Sequence, residues 1–166
     1  MARLAEVFTV LNDIKREGVI EEYAIGGAMA LLFYIEPATT YDLDVFVSLP
    51  AQQGVIIDLG PLYSHFRALG FETDREHIRI YDVPVQLLPA YNPLVEEAVR
   101  EAIEMDYEGV PVRVVDPDHL AAIALQTGGE MRRARATKLI SDGAADLSRV
   151  NNLLVQHGLP LVRQEG

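Results

Sequence analysis

The sequence contains no cysteine, which excludes a disulfide framework, a thiolate-bound metal and a cysteine nucleophile. Stability must therefore come from an apolar core. No stretch comes near the roughly 20 consecutive apolar residues that a membrane helix needs. Glu6 also interrupts the N-terminal segment where a secretory signal keeps its apolar run. A cytoplasmic location with no membrane partner is the expectation. Net positive charge is lacking too. At a formal charge of −11, broad binding to DNA or RNA is not expected, because neutralised phosphates supply most of that affinity. An acidic chain can still take a nucleotide through a metal ion. Finally, there is no internal repeat, no linker and no compositional bias towards disorder. With 166 residues of which 49% are hydrophobic, the chain has enough apolar material to fold as one domain over residues 1–166.

What is present reads as mixed α/β for about residues 1–115 and as helices for about 116–159. Val7, Phe8, Val10, Leu11 and Ile14 recur at helical spacing, and Gly18 ends that helix. Tyr23-Ala24-Ile25 is a short extended piece running into Gly26-Gly27, and a helix of small apolar residues, Ala28 to Tyr34, follows directly. Thr39 to Val47 alternates and then turns wholly apolar, as a strand buried at its end does. A helix is expected over 56–69, a short strand at 71–73 and a hairpin over 78–88, turning near Asp82. Asn92 and Pro93 open a helix expected to reach Glu104. Val110 to Val115 is a further strand, and Asp116-Pro117 caps the helix 119–126. Helices over 132–141 and 145–157 finish the chain.

Asp42 and Asp44 stand two apart on the expected strand, so both carboxylates point to one face. Two carboxylates so close repel unless a cation lies between them. Hard oxygen ligands suit Mg²⁺, an ion that keeps several waters and binds substrate phosphates. Gly26-Gly27 supplies a turn without side chains at a helix start, where backbone N–H groups can approach a phosphate. Thr40 offers a hydroxyl. The Arg132, Arg133, Arg135 and Lys138 run faces either a phosphate or solvent. Tyr23, Tyr34 and Tyr41 can stack a base, although packing against the sheet is the plainer role. His65, His77, His119 and His157 have no metal-ligand spacing and read as structural or exposed, and Glu101 to Glu108 reads as acidic surface.

The order strand, Gly26-Gly27, small-residue helix, then Thr40-x-Asp42-x-Asp44 resembles the nucleotidyltransferase fold superfamily, in its small prokaryotic minimal branch. Val83 to Ala98 looks like the strand and helix that follow in that family. Val112 to Gly128, Arg133-Ala134-Arg135 and Asp146 to Leu159 are similar to the C-terminal helices of toxin- or antitoxin-type members. The resemblance runs from about Glu21 to Leu159. It implies Mg²⁺-dependent transfer of a nucleoside monophosphate from a nucleoside triphosphate to an acceptor. Gly26, Gly27 and Thr40 would then bind nucleotide, while Asp42 and Asp44 hold the metal as the catalytic carboxylates.

Three positions depart from the family pattern. Gln86 stands where the third carboxylate is expected, Ala38 where many relatives have arginine, and Met131-Arg132 where Lys-Asp is common. An amide cannot act as a base. Two readings therefore stay open: a nucleotidyltransferase, or a catalytically inactive module of the same fold that binds nucleotide or a protein partner, as in a toxin–antitoxin pair.

Overall fold

The computed structural model describes residues 3–35, 42–50 and 58–162. Helix α1, Leu4–Arg16, buries Leu4, Val7, Phe8, Leu11 and Ile14 along one face. Lys15 and Arg16 lie at its negative end, where the helix dipole favours them. Strand β1, Glu22–Gly26, leads without a loop into helix α2, Gly27–Ala30, and a single 3₁₀ turn, Leu31–Phe33. The helix expected to reach Tyr34 is thus shorter, because its last residues tighten into 3₁₀ geometry. Strand β2, Leu43–Ser48, follows.

Helix α3, Gly60–Ala68, starts later than the expected 56, and positions 51–57 lie outside the described residues. Strands β3, Glu72–Asp74, β4, His77–Ile80, and β5, Val83–Pro89, come next. Tyr81 and Asp82 join β4 to β5 with φ of 49° and 67°. Positive φ at both positions is what a two-residue hairpin turn needs to match the strand twist.

Helix α4, Pro93–Arg100, is capped by the Asn92 side chain, which accepts from the Val95 N–H at 2.9 Å. It stops at Arg100 and does not continue to Glu104, because residues 103–107 form a strand that the sequence reading took for acidic surface. That strand, β6, Ile103–Tyr107, pairs antiparallel with β7, Val110–Val114, across a turn at Glu108 and Gly109. Met105 and Tyr107 pack on the core while Glu104 and Asp106 alternate outward. The charges blunt a sheet edge that could otherwise pair with another chain.

The strands form one seven-stranded sheet in the order β3-β4-β5-β2-β1-β7-β6. β2 and β5 are parallel, as are β1 and β7, and the other neighbours are antiparallel. α1 lies against β7 and β1, and α4 against β1 and β2. Helices α5, Pro117–Thr127, α6, Glu130–Ser141, and α7, Leu147–Gln156, pack on one another through α5, which also touches α4. Asp116 and Asp146 cap α5 and α7, accepting from the His119 and Arg149 N–H groups. Such caps contribute about 1 kcal/mol each. No helix among the described residues is long and apolar enough to cross a membrane.

Candidate functional site

The sheet register sets one row of residues side by side. Gly26 on β1 pairs with Asp44 on β2, and Asp44 pairs with Gln86 on β5. Directly paired residues point to the same face, so the Asp44 carboxylate stands between a position with no side chain and an amide. Gly27 begins α2 at φ 60°, and a Cβ built there would collide with the Asp44 carboxylate oxygen. A Cβ on Gly26 would run into the Phe46 ring. Both glycines are needed because the chain turns from strand to helix in contact with the side chains of β2. Asp42 immediately precedes β2 and is exposed, with His77 Nε2 at 3.8 Å from its carboxylate.

Above this row lies a cavity of about 240 Å³. Its floor is Gly27, Asp44, Phe46 and Gln86, and α6 lends it Arg132 and Arg135. Leu120 and Ile123 of α5 give it an apolar side, and Tyr91 stands at its rim, half exposed. Burial pushes the Asp44 carboxyl above its ordinary value, and the Asp42 charge pushes it further. Arg132, His77 and Arg135 oppose that rise without cancelling it. Among the described residues no donor hydrogen-bonds the Asp44 carboxylate. The arrangement is a partly desolvated anion pair facing two guanidinium groups, suited to a ligand that carries cation and anion together.

The structure brings together Gly26, Gly27, Asp44 and Gln86, with Asp42 at the edge. Thr40, Tyr41 and Ala38 lie outside the described residues. Tyr23 is fully buried; its hydroxyl donates to Asn12 Oδ1 at 2.7 Å, and burial pushes its phenol up to about 12. The Tyr34 hydroxyl donates to the Val115 carbonyl at 2.8 Å. Neither ring lines the cavity, so both take the packing role. The basic run divides by partner. Arg132 and Arg135, three apart, reach the cavity, while Lys138 pairs with Asp142 at 3.4 Å. The sequence reading missed Tyr91 and Phe46, whose signals were a place between β5 and the Asn92 cap and a place two residues after Asp44.

A second polar group is built around α5. His119 is 4% exposed, and its Nδ1 lies 2.6 Å from Asp116 Oδ2. Its Nε2 lies 3.1 Å from Glu97 Oε2 on α4, and His157 at the end of α7 meets the same oxygen at 3.2 Å. Burial alone would raise the Glu97 and Asp116 carboxyls. The imidazole hydrogen bonds and charges outweigh it and hold both below their ordinary values. Burial likewise works against a charged His119, yet Asp116 and Glu97 carry its net shift upward. His119 is therefore structural, as its type and position suggested, but as the hub of a network and not as an isolated core residue.

No protein-family model matches the chain, and no curated protein matches it in sequence. Solved structures do match in fold. An antigenic nucleotidyltransferase-like protein from Paracoccidioides brasiliensis superposes with a TM-score of 0.59 at 16% identity, over 93% of this chain and 88% of that one. The crystal structure of ANT(2'')-Ia in complex with adenylyl-2''-tobramycin gives a TM-score of 0.55 at 16% identity, over 95% and 98%. The solution structure of the antibiotic-resistance factor ANT(2'')-Ia gives 0.52 at 16%, over 93% and 90%. The chain thus has the mixed α/β fold of nucleotidyltransferase-like proteins.

Proposed function

We propose that the cavity over Asp44 binds a nucleoside triphosphate with Mg²⁺, and that the protein transfers the nucleoside monophosphate to an acceptor bearing a hydroxyl. The observation that carries this reading is the Asp44 carboxylate, raised by burial and by Asp42, with no hydrogen-bond donor among the described residues and sharing its cavity with Arg132 and Arg135. The likeness in fold to nucleotidyltransferase-like structures supports it.

The donor set fits the metal. Mg²⁺ is held by one or two carboxylates together with substrate phosphates and water, and Asp42 and Asp44 supply the carboxylates. Bound there, the ion would neutralise charge on the transferring phosphoryl group. The chain's own residues do the rest. Gly27 leaves room for phosphate oxygens beside Asp44, because any side chain would occupy that space. Arg132 and Arg135 offset charge on the pyrophosphate as the Pα–O bond to it breaks and the acceptor O–Pα bond forms. Leu120, Ile123 and Tyr91 offer surface for the base, excluding water on one side. Gln86 can orient the acceptor hydroxyl but cannot take its proton, which passes to water. Turnover is then slower, by roughly the 10²–10⁴ credited to a general base.

The test is pyrophosphate release from ATP, GTP, CTP and UTP with Mg²⁺, comparing wild type with Asp42→Ala. Release that depends on Mg²⁺ and is lost in the variant is expected. One observation favours a second reading, a module of this fold that binds nucleotide or a protein partner without turnover: the residue paired with Asp44 on β5 is Gln86, whose amide lies 3.4 Å from Glu76. Tight nucleotide binding with no release would select it.

A further inference from the structure

The geometry points to a second metal site, separate from the Asp44 cavity, in which Glu97, Glu101, His119 and His157 hold one divalent transition-metal ion such as zinc. Ligand atoms of Glu97, Glu101 and His119 all lie within 4.8 Å of one another. His119 Nε2 is 3.1 Å from Glu97 Oε2 and 3.7 Å from Glu101 Oε2, and His157 Nε2 is 3.2 Å from the same Glu97 oxygen. Donors on a tetrahedral zinc with bonds of about 2.0–2.1 Å sit about 3.3 Å apart. The 3.1 and 3.2 Å separations match edges of such a tetrahedron and the 3.7 Å one is longer, so Glu101 and His157 would have to close in on the Glu97 and His119 atoms to complete the set around an ion.

Local structure explains the convergence. Glu97 and Glu101 are four apart at the end of α4 and so share a helix face. His119 sits in the first turn of α5, and His157 ends α7. Asp116 caps α5 through its Oδ1 and receives His119 Nδ1 on its Oδ2. That contact keeps a proton on Nδ1, so an ion at Nε2 would take the place of the proton that Nε2 shares with Glu97. A carboxylate behind a ligating imidazole in this way orients it and raises its basicity. Two imidazoles with two carboxylates suit zinc and its neighbours and are poor ligands for Mg²⁺. Access is open, because Glu101 is about half exposed and, with Asp116 and His119, lines a cavity of about 580 Å³. None of these residues lines the Asp44 cavity, so the inference stands whether or not nucleotide binds there. The ion would tie α4, α5 and α7 together.

The experiment is calorimetric titration of the full chain, first stripped with chelator, with Zn²⁺ as the probe, alongside thermal unfolding with and without Zn²⁺. Wild type should take up one equivalent and unfold at higher temperature when loaded. Glu101→Gln changes a half-exposed side chain and should fold normally, yet weaken zinc about tenfold or more. His157→Gln should do the same, Asp116→Asn should weaken zinc within the 10- to 100-fold range of an orienting carboxylate, and Asp44→Asn should leave it unchanged. Absence of stoichiometric uptake by wild type overturns the inference. So does zinc binding that survives intact in both Glu101→Gln and His157→Gln, or that is lost in Asp44→Asn.

Discussion

Partly buried carboxylates in two regions of this molecule have opposite fates. At β2, Asp44 is desolvated beside a second carboxylate, and its proton affinity rises. At α4 and α5, Glu97 and Asp116 are also desolvated, yet His157 and His119 pull Glu97 down, and His119 with backbone N–H groups pulls Asp116 down. Burial acts in the same direction in both places, so the partners decide the outcome. At the first site no described residue hydrogen-bonds the Asp44 carboxylate, and the nearby charges do not cancel its upward shift. The second is satisfied from within the chain and holds helices together. Strained, under-paired groups are where a protein gives up stability for function.

The sharpest way to exploit the contrast is to complete the first site. Gln86→Glu places a third carboxylate in register with Asp44, and the expected gain in Mg²⁺-dependent pyrophosphate release is roughly 10²–10⁴-fold. An unchanged rate would mean that position 86 does not limit the reaction.

Next in size, His119→Ala leaves Glu97 and Asp116 without their buried partner. Urea denaturation in chelator should show a loss of about 3–5 kcal/mol, the usual cost of breaking a buried charge pair by removing one member. A loss below 1 kcal/mol would break the comparison by showing that the network is no hub.

Gly27→Ala combines positive φ with a clash against Asp44. It should cost about 1–3 kcal/mol and abolish nucleotide binding, read by denaturation and by titration of the same sample.

The smallest effect has the opposite sign. Asp44→Asn removes the unsatisfied charge and should raise the unfolding free energy by about 0.5–1 kcal/mol while eliminating Mg²⁺ and nucleotide binding. Because the folded protein holds the Asp44 proton more tightly than the unfolded chain, wild type loses stability as pH rises above the ordinary 3.8. The advantage of the variant should therefore appear above that pH and level off once Asp44 has ionised in the folded state. A variant less stable than wild type at neutral pH would contradict the account.

The sequence made the first site more legible than the second for a physical reason. Gly26, Gly27, Asp42 and Asp44 lie close together in sequence, at the end of β1, the start of α2 and the start of β2, and alternation along the strand dictates that the two aspartates share a face. Gln86 was placed through the family resemblance alone, and the parallel pairing of β5 with β2 sets it beside Asp44. The Glu97, His119 and His157 group comes from three helices whose mutual packing no local pattern encodes. The same limit left the Arg132–Lys138 run ambiguous, since choosing between cavity and solvent required knowing how α6 sits on α5. β6 was missed because its outward acidic residues imitate solvated surface and the α4 pattern runs towards it. Its partly buried Met105 and Tyr107 alternate over too short a span to stand out.

The most direct test of the central claim is calorimetric titration of the protein with Mg²⁺ plus ATP, GTP, CTP or UTP in turn, set against Asp44→Asn. The account predicts metal-dependent binding of at least one nucleotide to wild type, and its loss in a variant that remains folded. Binding to none of the four, or binding that Asp44→Asn leaves intact, would contradict the assignment of the Asp44 cavity as a nucleotide site.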